Sequence, residues 1–286
     1  MNDLRFETLF KNLVDDILKT GTLTNVDANG SVRLTWNGMN LDMRNLYFEN
    51  NLFEALKSIS RENTPSNEDL DFHIRYLETA LLDYIYYLYA AGLEFQLWKQ
   101  WCFLYSQINY LAYKFYSETE TKAHYLYASM VFCAISNNWS CLGRLKENSL
   151  EFSGFVDQAD NVVWHILSGL PSTKLNNEPM EDNAWISLQN AFYKKDKVMI
   201  FNQLKLIAED YYDFFEFKKY TPDNPSFNPV ICATTAYLGS KDLIVPVSSR
   251  KLKKKQAAIL VPGLTKEKPD YDALTGLDFT LKAFEI

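Results

Sequence analysis

The sequence predicts an all-α protein, either an irregular helical bundle or a degenerate TPR-like helical array, with a small β-hairpin near residues 22–37. Three observations predict it. Apolar residues recur at spacings of three and four through most of the chain, the period of a helix with one buried face. Glycine and proline are sparse, 10 and 9 in 286 residues, too few for the many tight turns of an all-β fold. Hydrophobic residues make up 47% against 23% charged, enough to bury a sizeable core.

The first helix is predicted over 3–19, where Leu4, Phe6, Leu9, Phe10, Leu13, Val14, Ile17 and Leu18 form one face before Gly21 breaks the pattern. The pair Asn29-Gly30 then sits between Val26 and the alternating Val32, Leu34 and Trp36, a hairpin signal. The helical period returns from Asn45 with Leu46, Leu52, Phe53, Leu56 and Ile59. A loop (RENTPSNEDL) follows, in which Asn67 is a candidate N-cap. Next comes a long helix through Leu70, Ile74, Leu77, Leu81, Ile85 and Leu88 toward Gly92, then helices over 95–116 and 119–136. These three are the most hydrophobic part of the chain and the predicted heart of the core. Shorter helices are expected over 139–150 and 157–167.

The loop 169–179 (GLPSTKLNNEP) is the candidate internal boundary, separating residues 1–170 from 180–286 within what reads as one continuous domain. Beyond it, helices are predicted over 182–193, 197–217 and 229–238. A β-branched stretch at 243–247, a basic run at 250–255 (RKLKKK) read as an exposed loop, an apolar stretch at 257–261 and a short helix before Ile286 complete the chain. No repeat of about 34 or 40 residues holds its register.

Charge and cysteine usage narrow the function classes. A formal charge of −7 disfavours nucleic acid, whose phosphates are bound through Lys and Arg. It suits solubility or a basic protein partner. The N-terminus (MNDLRFETLFKNLVDD) is charged throughout and lacks the apolar core of a signal peptide. The longest charge-free run, between Lys122 and Arg144, contains His124, Asn137 and Asn138 and reads as a buried helix rather than a membrane span. A cytoplasmic protein is expected. Cys102, Cys133, Cys141 and Cys232 form no CxxC pair and read as reduced, buried thiols, with a disulfide between two of them left open.

No motif for catalysis or cofactor binding is present: no Gly-rich phosphate loop, paired-cysteine metal site, HExxH or GxSxG. His73, His124 and His165 are far apart, so a histidine site would have to be assembled across helices. The expectation is a protein without enzyme activity, cofactor or metal. Its unusual feature is an aromatic excess, with 18 Tyr, 19 Phe and 6 Trp. The band Tyr84, Tyr87, Trp98, Trp101, Tyr105, Tyr110 and Tyr113 reads as core packing in preference to a pocket. Its buried hydroxyls need partners, expected to be mainly backbone, Gln, Asn and Ser. A second cluster joins acid to rings. Glu209, Asp213 and Glu216 share one helix face, Asp210 lies beside them, and Tyr211, Tyr212, Phe214, Phe215 and Phe217 are interleaved. A solvated face is the plain reading. The functional reading is a surface for a basic partner, with Glu209, Asp210, Tyr212, Asp213 and Glu216 as candidate partner-binding residues.

One segment resembles a known family. Trp185, Ala191, Asp196, Phe201 and Leu204 (WISLQNAFYKKDKVMIFNQL), followed by Ala233, Ala236, Gly239, Pro246 and Pro262, are similar to the immunity protein 49 family of bacterial polymorphic toxin systems. The likeness spans residues 182–264. It implies a cytosolic helical protein that binds and sterically blocks a cognate protein toxin made by the same cell or its kin. Two other classes stay open. One is a helical-repeat adaptor holding a peptide in a groove. The other is an enzyme whose site brings a histidine together with carboxylates.

Overall fold

The computed structural model describes residues 22–26, 32–36, 39–40, 67–90, 95–147, 155, 157–169, 183–214, 228–244 and 252–266. The helices predicted over 3–19 and 45–59, the loop 169–179 beyond Gly169, and the helix before Ile286 lie outside these residues. Three short strands, β1 (Thr22–Val26), β2 (Val32–Trp36) and β3 (Met39–Asn40), form an antiparallel sheet in the order β1-β2-β3. Leu23 pairs with Leu34 but Val26 with Val32, a register slip of one residue. The strands flank the expected Asn29-Gly30 turn, which itself lies outside the described residues.

Helices make the rest. Helices α1 (Asn67–Ala90), α2 (Phe95–Phe115) and α3 (Thr119–Ile135) lie where the apolar period places them. After them come α4 (Trp139–Lys146), α5 (Gln158–Ser168), α6 (Ala184–Lys194), α7 (Lys197–Phe214), α8 (Pro229–Ser240) and α9 (Lys254–Leu264). Short polar side chains start many of them. Asp157 accepts from the Ala159 and Asp160 amides, Asn183 from Trp185 at 2.8 Å, and Asn228 from Ile231 at 2.9 Å with Pro229 behind it. Gly169 ends α5 in the left-handed conformation at φ 75°. Two predicted ends move. The helix begun at Trp139 stops at Lys146, and the basic run supplies Lys254 and Lys255 to the first turn of α9.

The core is built around α2, α3 and α8. Every residue of α2 from 98 to 113 is buried, as is every residue of α8 from 231 to 238. Helix α3 packs on α2, α4, α5 and α8, while α8 packs on α3, α5, α7 and α9. One apolar cluster therefore runs across the candidate boundary, joining Leu126 and Val163 to Leu188, Leu238 and Leu260. Small residues make α8 approachable. A Cβ placed on Gly263 of α9 would stand 2.5 Å from the Cys232 carbonyl oxygen and 2.8 Å from Thr235 Cβ. Only glycine admits that contact. Thr234 and Thr235 direct their hydroxyls back to Val230 and Ile231 carbonyls at 2.7 Å, so neither is an orphan in the core.

The described part of the aromatic band is core. Trp98, Trp101, Tyr105, Tyr110 and Tyr113 are all buried. The side chains of Tyr84 and Tyr87 lie outside the description. All four cysteines are buried, free thiols. Lys99, with no exposed surface, is accounted for by its position: its Nζ donates to the Thr265 carbonyl at 2.9 Å, just beyond the end of α9, and Asn137 donates to the same oxygen at 3.1 Å. A cation at a helix C-terminus is held by the negative end of its dipole.

Candidate functional site

Helix α7 carries the candidate surface, and its two faces differ. Ile200, Leu204, Ile207 and Ala208 point into the core, on spacings of three and four. The opposite arc carries Val198, Asn202, Leu206 and Asp210, each four residues from the last and all exposed. Val198 is 67% exposed, Leu206 49% and Met199 44%, and Tyr193 at the end of α6 is 46% exposed. These are four of the five large apolar residues exposed among the described residues. Gln203 Nε2 lies 3.3 Å from Met199 Sδ, which steadies that side chain.

Charge frames the patch. Lys194, Lys195 and Lys197 are exposed at one end, in the turn between α6 and α7. Asp196 is spent as the N-cap of α7, accepting from the Met199 amide at 3.0 Å. Lys195 holds φ 55°, the left-handed C-cap position of α6, where glycine is the ordinary residue. An L-residue there costs roughly 1–2 kcal/mol. Lys194 suits the C-terminus of α6, but Lys197 opens α7, where its charge opposes the helix dipole. A misplaced charge of this kind costs about 0.3–1 kcal/mol at low ionic strength. Lys195 and Lys197 are thus each set against local stability at one end of the apolar patch. At the far end Asp210 is exposed on the C-terminal half of α7.

The predicted acidic residues divide. Glu209 faces α9: it accepts from Lys253 Nζ at 2.6 Å and from Gln256 Nε2 at 3.3 Å. Gln256 in turn accepts the Lys253 amide at 3.1 Å. A carboxylate is thereby placed at the start of α9, where the dipole favours it. The acidic stripe and the basic run, read separately in the sequence, partly satisfy one another. Asp210 is exposed on the patch arc. Tyr212 and Asp213 lie on α7 with side chains outside the description, and Glu216 lies beyond the described residues. Tyr211 turns inward. Burial raises its hydroxyl above the ordinary value, and a hydrogen bond with Asn228 opposes the shift.

Three tyrosines hydrogen-bond to carboxylates, among them Tyr105 of the aromatic band, for which backbone, Gln, Asn and Ser were the expected partners. Tyr105 donates to Glu78, Tyr116 to Asp71, and Tyr127 to Asp160 at 2.8 Å. Each carboxylate comes from a neighbouring helix, and an ionised acceptor makes a stronger bond than an amide or hydroxyl. Burial raises Glu78 and Asp160 above the usual carboxylate range, and the tyrosine hydrogen bonds oppose that. Tyr116 also stacks on Tyr125 with ring centroids 5.1 Å apart.

The three histidines occupy three helices. His73 is buried in α1, His124 is exposed on α3 with its ring 5.2 Å from Phe155, and His165 is half-buried in α5. Among the described residues no group of three or more His, Cys, Asp or Glu side chains is placed to hold a metal ion, and no helix is long and apolar enough to cross a membrane. No protein-family model, curated protein or solved structure matches the chain. Tyr193, Val198, Met199 and Leu206 escaped the sequence reading, although a signal existed. The apolar residues at 198, 199 and 206 fall off the stripe that 200, 204 and 207 define.

Proposed function

We propose that the chain is a non-catalytic binding protein, acting in the cytoplasm as an immunity protein that blocks a cognate bacterial toxin. The observation that carries this reading is the outer face of α7: a cluster of exposed apolar side chains between lysines at one end and Asp210 at the other. That face lies inside residues 182–264, the segment that resembles the immunity protein 49 family. Exposed large apolar groups concentrated on one patch favour a single docking surface. A peptide groove would spread them over successive helices, and among the described residues only Phe72 stands elsewhere.

The fitting toxin surface presents acidic groups toward Lys194, Lys195 and Lys197, an apolar anchor over Val198 and Leu206, and basic groups toward Asp210. Apolar burial supplies affinity, and the charges set orientation and encounter rate. Inhibition is steric, by covering the toxin's active site. The test is capture of the partner from source-cell lysate with tagged protein, followed by titration with the double variant Val198→Asp, Leu206→Asp. Affinity is expected to fall at least about thirtyfold, the loss of a binding hot spot, and co-expression should no longer protect cells from the captured toxin. Unchanged affinity would remove this face from the interface.

A further inference from the structure

The surface that complements the outer face of α7 is that same face turned end for end. Lys194, Lys195 and Lys197 are exposed at one end and Asp210 at the other, with Val198 and Leu206 exposed between them. Asn202, also exposed, lies midway between Val198 and Leu206 on the same arc. A two-fold axis through Asn202, perpendicular to the helix, lays a second α7 antiparallel on the first. Each residue then meets the one equally far from Asn202 in the other direction. Val198 of one copy lies on Leu206 of the other, and the same contact recurs across the axis. Asp210 stands about 12 Å beyond the centre, counting 1.5 Å per residue. It is brought to the α6–α7 turn of the other copy, where Lys197 stands about 7.5 Å from the centre and Lys194 and Lys195 follow.

Asn202 suits the axis. A primary amide carries both donors and an acceptor, so two of them facing across a two-fold can exchange a pair of hydrogen bonds. A polar residue within an apolar helix seam also fixes register, because a slip leaves its amide against an apolar side chain. We propose that two copies of this chain associate through α7, antiparallel, about a two-fold axis at Asn202. A patch one helix wide and about 18 Å long is small for a protein interface. The dimer is therefore reversible, with a dissociation constant on the order of 100 µM. Association withdraws Val198 and Leu206 from water when no other partner covers them. The inference goes beyond the immunity reading and needs no toxin. A toxin that uses this face would bind the monomer and displace the second copy.

The experiment uses the full chain alone. Sedimentation velocity from about 1 µM to about 500 µM should show a monomer–dimer equilibrium that weakens as salt is raised, because its charge pairs are exposed. Asp210→Lys should weaken association about tenfold, and adding Lys194→Glu and Lys197→Glu to it should restore association. Cross-linking reads the register. In Asn202→Cys the introduced thiols face each other on the axis, so mild oxidation should give a covalent dimer. Val198→Cys alone should give none, whereas its equimolar mixture with Leu206→Cys should. The four native thiols are buried, and the unsubstituted chain measures their background. Positions 198, 202 and 206 are all exposed, so these substitutions spare the core. A chain that stays monomeric over the whole range overturns the proposal. So does a dimer that Asp210→Lys leaves unchanged, or one in which Val198→Cys or Leu206→Cys alone cross-links as fast as Asn202→Cys. Failure here leaves the toxin reading intact, since capture from lysate does not depend on self-association. A captured toxin that ignores α7 would sink that reading and leave the dimer standing.

Discussion

Glu78 and Gly263 show how much single positions decide. Glu78 is largely buried and accepts from Tyr105, yet burial outweighs that bond and raises its pKa above 4.5. For an acid with a raised folded value, the favourable contribution is complete below the unfolded value. It is lost as pH rises through the folded one. Glu78→Gln keeps an acceptor for Tyr105 without the charge. The variant should therefore gain on the wild type between acid and neutral pH, with a flatter dependence of urea-unfolding free energy on pH. An equal slope in both proteins would mean that Glu78 is solvated. Gly263 acts through space alone. Gly263→Ala forces a methyl against the Cys232 carbonyl and Thr235, so α9 must shift from α8. A loss of about 1–3 kcal/mol in chemical denaturation is expected, the usual range for overpacking. A loss below a few tenths would mean that the two helices separate freely.

At the scale of the element, α7 sets local stability against its surface. Lys197 opposes the dipole at the helix start, so Lys197→Glu should raise stability by about 0.3–1 kcal/mol while weakening partner binding. A variant that gains stability and binds equally well would show that the lysine serves neither end. The Glu209–Lys253 pair is the contrast. With Lys253 68% exposed, Lys253→Ala should cost under about 1 kcal/mol and leave binding unchanged. Elements were legible in the sequence in proportion to their period. Helices α1 to α3 follow from apolar residues at three and four, because burial against neighbours is what that period encodes. The outer face of α7 was harder to see. The acids at 209–216 draw attention as a stripe, but whether Glu209 meets solvent or α9 depends on a residue 44 positions away. The same distance problem hid the carboxylate partners of the tyrosines and the purpose of Lys99, which meets Thr265 across 166 positions. Local pattern shows that a polar group is buried, but only the packed chain shows what satisfies it.

Across the whole molecule, α8 is the element on which both sides of the chain depend. It enters from beyond residue 180, yet it lies against α3 and α5 on one side and α7 and α9 on the other, with residues 231–238 all buried. Lys99 and Asn137, from the earlier part of the chain, hold the carbonyl that ends α9. Removing everything after Gly169 would uncover the apolar faces of α3 and α5 and strip Lys99 of its acceptor, leaving a buried cation without that bond. A chain ended at that point should keep much of its helical circular dichroism, because α1 to α3 still pack on one another. It should lose the cooperative unfolding transition of the full chain and bind a hydrophobic dye such as ANS, the behaviour of a collapsed but loosely packed state. The full chain should melt in one transition, with near- and far-ultraviolet signals coincident. Two separate transitions, or a truncated chain that unfolds cooperatively, would show that the two regions are independent domains that merely touch through α8.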